Sequence, residues 1–165
     1  MEIQRSEDPT VRPTETHPEP DHGPSRQQLD AFVGRWIVEG TNGTGAPAST
    51  GAEMQGTESY EWLEGEFYLI NRWDRHFGQN RHTGISFIGY DSSLGEYFSQ
   101  SFDNLGFAAR YKVYVAEGAL RFQGPEERAV LKLNADRSQI DILWEQSKDG
   151  LDWAELCHLI GHREQ

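Results

Sequence analysis

A single cysteine, Cys157, stands in 165 residues, so neither an intrachain disulfide nor a cysteine-rich zinc site can form, and nothing demands an oxidising compartment. No apolar run approaches the roughly 18 residues that a membrane span requires. The first ten residues, MEIQRSEDPT, lack the basic and apolar regions of a secretory signal. Bases are also scarce: 15 Lys plus Arg face 27 Asp plus Glu, a formal net charge of -12, which repels phosphate backbones and anionic lipid. Gly-x-Ser-x-Gly is absent, as are a P-loop and a Gly-x-Gly-x-x-Gly ahead of a helix, which removes the usual nucleophile elbow and nucleotide cradles. These absences predict a soluble cytoplasmic protein with no nucleic-acid partner, no membrane partner and no cofactor; a homodimer stays open.

What is present divides into two parts. Residues 1–24 hold five of the seven prolines, six acids and two arginines, and almost nothing apolar. Such a stretch cannot bury enough surface to offset the entropy of ordering it, so a disordered acidic tail is predicted there. The remaining residues, 25–165, still carry 21 acids and 13 bases and are expected to form one domain. Ser25 reads as the N-cap of a short helix over 26–33, with Leu29, Phe32 and Val33 on one face and Gly34 at the stop.

Beyond Gly34 no helical period appears. Short runs rich in Tyr, Trp, Phe, Ile and Val alternate with Gly, Asn and Asp turn signals. They predict strands near 35–41, 53–63, 66–75, 82–90, 96–102, 107–115, 119–123, 128–134, 139–147 and 152–162. Ten strands in sequential hairpins behind one helix make an all-β, up-and-down antiparallel barrel the expected architecture.

Side chains alternate between the two faces of a strand, so the less charged parity marks the barrel interior. That rule turns Tyr60 and Trp62 inward and carries Glu58 with them. It likewise turns Phe67, Leu69, Asn71 and Trp73 inward in 66–75, and Phe107, Ala109, Tyr111, Val113 and Val115 in 107–115. Trp144 joins Ile140 and Ile142. In the last strand Leu156, His158 and Ile160 are read as inward, opposite Glu155, Cys157 and Leu159.

These residues carry a resemblance. Leu29-Asp30-Ala31-Phe32-Val33-Gly34-Arg35-Trp36 resembles the Gly-x-Trp opening of the calycin (lipocalin-like) superfamily, in which a short helix closes one barrel end and the tryptophan packs at its base. Residues 60–67, Ile88-Gly89-Tyr90-Asp91 and 144–153 are similar to an uncharacterised bacterial lipocalin-like family over nearly all of residues 29–163. The shared motifs are turn glycines and packing tryptophans, so the resemblance implies a barrel and names no chemistry. Haem-binding nitrobindins are more distant by shape, and their pattern around an axial histidine is not met here.

A barrel of this size is either filled by side chains or holds one small ligand. The tryptophans, tyrosines and phenylalanines favour rigid apolar walls with polar tips, and hence a small, largely apolar organic ligand bound by Tyr60, Trp62, Asn71, Trp73, Tyr111 and Trp144. Glu58, desolvated among aromatics, is expected to have a raised pKa and to serve as general acid or base, with His158 as a second proton-transfer group. The alternative function is then a cofactor-free isomerase or cyclase acting on a hydrophobic substrate in the same cavity. Against it stands the simpler reading of Glu58 as a structural carboxylate satisfied by an arginine. Asp74, His76 and His82 flank a polar hairpin in no established metal pattern. The glycine-rich stretch from Thr41 through Gly51 is expected to flap over the barrel mouth.

Overall fold

The computed structural model describes residues 19–46 and 50–165. Most of the sequence expected to be a disordered tail, residues 1–18, lies outside the described residues, as do residues 47–49 of the glycine-rich stretch. One short helix, α1 (Arg26–Asp30), precedes ten strands. They are β1 (Gly34–Asn42), β2 (Glu53–Trp62), β3 (Tyr68–Phe77), β4 (Asn80–Asp91), β5 (Glu96–Asp103), β6 (Ala108–Ala116), β7 (Ala119–Gln123), β8 (Glu127–Leu133), β9 (Gln139–Gln146) and β10 (Ala154–Arg163). Every strand pairs antiparallel with its sequence neighbour, and β1 pairs with β10, so the sheet closes into an up-and-down barrel without a free edge. No helix among the described residues is long and apolar enough to cross a membrane.

Glycines bend the sheet where the barrel turns. A Cβ at Gly40 would stand 2.0 Å from the His158 carbonyl oxygen, and one at Gly56 would stand 2.1 Å from that of Asp74. Only glycine permits strands to approach this closely inside a continuous ladder.

Alternation assigns two different ends to the barrel. At the α1 end, Leu29, Phe32, Trp36, Val38, Leu69, Ile88, Leu120, Ile140, Ile142 and Leu159 are almost fully buried, and together they form an apolar plug. Trp36 Nε1 donates to the Phe32 carbonyl at 3.1 Å, and the Arg163 guanidinium lies 4.1 Å from the Trp36 ring centroid while donating to the carbonyls of Ala31 and Val33. Phe32 and Trp36 thus seal the base from both sides of the Gly34 turn. Ser25 makes no side-chain cap; its carbonyl accepts from Gln28 and Leu29 instead, and the helix ends three residues earlier than the apolar pattern suggests.

The opposite end is ringed by the β1–β2, β3–β4, β5–β6, β7–β8 and β9–β10 connections, and among the described residues no helix crosses it. Gly43 and Gly45 donate to the carbonyls of Leu156 and Glu155, which anchors the start of the glycine-rich stretch to β10 at this rim. Residues 19–24 run beside the closed end, where the His22 ring stacks on Phe67 at 4.2 Å and the His22 carbonyl accepts from Tyr97.

Candidate functional site

The inward faces change character along the barrel axis. Toward the rim, the inward residues Trp73, Phe77, His82, Ser101, Asp103, Ala109, Glu127, Trp144 and Gln146 are only partly buried, although each faces the interior through its strand register. Among and beneath them Asn42, Met54, Glu58, Arg75, Ser86, Ser99, Tyr111 and Cys157 are buried. Below those lies the apolar plug. The rim end of the interior therefore presents polar and aromatic side chains that solvent partly reaches, above an apolar floor.

Three rings form one wall. Tyr111 meets Trp144 edge-on at 5.6 Å and Phe122 at 6.3 Å, and Trp144 and Phe122 lie 5.9 Å apart. The Tyr111 hydroxyl donates to Glu127 Oε2 at 2.5 Å. Burial, reinforced by that carboxylate, pushes the phenol far above its ordinary value, so it remains a donor.

The opposite wall is β3. Trp73 pairs in register with Gly84, and a Cβ at position 84 would lie 2.0 Å from Trp73 Cζ2: the missing side chain makes the seat for the indole. Trp73 Nε1 is buried and donates to nothing, and so is Arg75 Nε, two residues further along the same inward face. The other end of the Arg75 guanidinium donates through Nη2 to Glu58 Oε1, and Tyr60 donates its hydroxyl to Glu58 Oε2 at 3.1 Å. Burial alone would lower the Arg75 guanidinium, but the Glu58 carboxylate outweighs it and the arginine stays charged. Burial and the same carboxylate hold the Tyr60 phenol well above its ordinary range. Burial likewise raises the Cys157 thiol, against the opposing pull of Arg75, so Cys157 stays protonated and unreactive at neutral pH.

At the rim, His82 Nε2 lies 3.2 Å from Asp103 Oδ2, and the His82 ring is 5.7 Å from Trp73. Asp103 Oδ1 also accepts from the backbone N–H groups of Leu105 and Phe107, which ties the dyad to the β5–β6 turn.

Of the residues expected from sequence to form the site, Glu58, Tyr60, Asn71, Trp73, Tyr111 and Trp144 face the interior. Two do not belong there. His158 is exposed on the outer surface with Nε2 3.1 Å from Asp141 Oδ1. The cause is a bulge in β10: Glu155 pairs with Glu145 but Cys157 pairs with Trp144, so one extra residue flips the alternation, and Cys157, Leu159 and Gly161 turn inward instead. Trp62 sits at the closed end, where its Nε1 donates to Asp30 at 2.8 Å and Arg26 lies 4.9 Å from its ring; it docks α1. Asn71 is occupied by a 3.3 Å bond to the Ser59 carbonyl. Phe107, read as the first inward residue of its strand, precedes β6 and is 70% exposed. Asp74 binds Arg81 through both carboxylate oxygens, at 2.8 and 2.7 Å, on the outer surface, away from the inward-facing His82.

Arg75 and Asp103 were the residues that sequence reasoning missed. The inward parity of 66–75 continues to Arg75, and a buried Glu58 requires a cation; together these were the available signal. Two concavities lie outside the interior, one on the outer surface around Tyr114, Arg121 and Val130, the other between Asp30, Arg137 and Arg163 at the closed end.

Residues 21–141 match the model of a family described as a protein of unknown function (DUF1579). That match covers more than half of the chain, which therefore belongs to the family. No curated protein matches the sequence. Among solved structures the chain is similar to one described as the de novo design of a fluorescence-activating beta barrel, with 14% identity, 82% of this chain and 96% of that chain covered, and a TM-score of 0.46.

Proposed function

We propose that this DUF1579 barrel binds one small, largely apolar organic molecule in its mouth, above the plug formed by Trp36 and Leu69 and between the walls of Trp73 and Tyr111–Trp144. The observation that carries this reading is the pair of buried, unpartnered donors, Trp73 Nε1 and Arg75 Nε, among inward side chains that solvent still partly reaches. A buried N–H without an acceptor costs about 1–3 kcal/mol, and an occupant bearing an acceptor removes that penalty. Rigid aromatic walls with few polar groups are the usual lining of small-molecule sites. The Gly34-x-Trp36 opening, with α1 and Phe32 over the base, supports a calycin-like reading of the same barrel.

The test is titration of the full chain with the apolar dye phenylnaphthylamine, following quenching of tryptophan emission. Saturable binding at one dye per chain is expected, and Ala109→Trp, which fills the mouth from β6, should abolish it. Binding that survives Ala109→Trp would place the dye on an outer concavity and overturn the proposal. Native mass spectrometry of protein purified without added ligand should show a retained small molecule.

A second reading, a cofactor-free isomerase or cyclase in the same mouth, is favoured by the His82–Asp103 dyad beside Trp73. Its acid–base groups are then His82 and Asp103, since Arg75 and Tyr60 occupy the Glu58 carboxylate and His158 lies outside. A His82→Gln variant that binds dye normally yet leaves a retained molecule chemically unchanged, where the parent chain converts it, would establish this reading.

A further inference from the structure

We infer that the molecule taken into the mouth bears a neutral carbonyl-class acceptor, and that Glu58 makes the site reject carboxylates. This rests on the binding reading above and specifies its ligand.

The donors come first. Trp73 Nε1 and Arg75 Nε are both buried, both unpartnered, and two residues apart on the inward face of β3. Arg75 is 8% exposed, so water does not routinely satisfy it. Both atoms are N–H donors and neither can accept, so the complementary group is an acceptor. A ketone, ester or amide oxygen has two lone pairs, enough for both donors, and no proton that itself needs an acceptor.

Charge decides which acceptor. Arg75 is the inward-facing cation of the mouth among the described residues besides the titratable His82, and its charge is already met by Glu58 through Nη2. Toward the rim the inward acids are Asp103, beside His82, and Glu127, which accepts from Tyr111. An incoming carboxylate would lose its hydration and meet a cation already compensated by Glu58, in an interior whose other inward carboxylates, Asp103 and Glu127, add charge of its own sign. A neutral carbonyl pays no comparable penalty. Glu58 therefore acts on the ligand through Arg75, as a charge selector that need not touch it.

The experiment uses three fluorescent naphthalenes of one skeleton: the neutral ketone prodan (a propionyl dimethylaminonaphthalene), dimethylaminonaphthalene without an acceptor, and the corresponding naphthoate. Each is titrated into the full chain. Prodan should bind about tenfold more tightly than the acceptor-free amine, the worth of one good hydrogen bond, and more tightly than the naphthoate. Its emission should keep the red shift of a hydrogen-bonded carbonyl although it is buried. Trp73→Phe should weaken prodan binding more than amine binding, so that the ratio of the two affinities falls toward one. Glu58→Gln should raise naphthoate affinity and leave the amine unaffected.

Equal binding of ketone and amine would overturn the acceptor inference while leaving the mouth as a binding site. Absence of saturable binding by all three would overturn both. Should Glu58→Gln fail to fold by circular dichroism, the ketone, amine and naphthoate comparison on the parent chain decides alone.

Discussion

Trp73 occupies the volume that a side chain on Gly84 would take, directly across the β3–β4 ladder, with Cζ2 at 2.0 Å from the position of a Cβ there. One wall of the mouth thus depends on a residue that contributes no side chain. Gly84→Val should push the indole from its seat and lower stability by about 1–3 kcal/mol, as overpacking does. Urea denaturation measures the loss, and near-ultraviolet circular dichroism should show the changed tryptophan environment; an unchanged midpoint and spectrum would mean that the ring relocates freely.

The Glu58–Arg75 pair makes a different prediction. Arg75→Met leaves a buried carboxylate with only Tyr60 for a partner, at a cost of about 3–5 kcal/mol. The double variant Glu58→Gln, Arg75→Met removes the orphaned charge and should recover most of that loss. A double variant no more stable than Arg75→Met would show that packing, not charge, sets the penalty.

Alkaline titration probes the buried thiol and phenols. Cys157 is raised above its ordinary 9.0, chiefly by burial, and Tyr60 and Tyr111 above 10.0 for the same reason. A group whose pKa is raised in the folded state contributes stability that is complete below its unfolded value and declines as pH rises above it. Unfolding free energy should therefore stay level from neutral pH to about 8.5 and fall through about pH 9–11. Cys157→Ala should remove the earliest part of the fall and Tyr111→Phe the later part. A parent profile flat to pH 11, followed by equilibrium urea unfolding, would contradict the burial of all three.

Residues 19–24 give a fourth test. Composition alone predicts that removing residues 1–24 changes nothing, yet His22 stacks on Phe67 and Ser25 N–H donates to the Tyr97 hydroxyl, which in turn donates to the His22 carbonyl. Deleting residues 1–24 should lower stability by about 1–2 kcal/mol, or a few degrees in Tm, and His22→Ala should reproduce part of the loss. Equal Tm values by calorimetry would show that these contacts carry no free energy.

Turn chemistry and period-two alternation gave away the barrel because each hairpin carries its own signal: Glu64-Gly65 and Glu117-Gly118, for example, separate strands whose ends fall within two residues of those read from sequence. The same alternation identified Glu58, Tyr60, Trp73, Tyr111 and Trp144 as inward. It failed at His158 because a bulge inserts one residue and reverses every later side chain, and no residue in Ala154–Cys157 announces a bulge. It failed at Trp62 for another reason: inward parity at the closed end means packing under α1, not lining the mouth. Arg75 escaped because the inward row read in 66–75 stops at Trp73, one step of the same alternation short of it. Neither the seat at Gly84 nor the meeting of His82 with Asp103, 21 residues apart, is visible without the register between strands.

The seam between β1 and β10 also governs how the barrel is made. Each other pairing joins sequence neighbours and can form as a local hairpin, but Trp36 meets Arg163 and Asn42 meets Cys157 only after the intervening strands have been laid down. Until then β1 and β9 each expose a row of unpaired backbone groups, the template on which a second chain can add. Ring closure is the contact of greatest sequence separation and the natural slow step. A chain interrupted before Ala154 would keep nine strands, a nearly complete plug and two sticky edges, so its characteristic fate is self-association through β1 and β9 rather than simple unfolding.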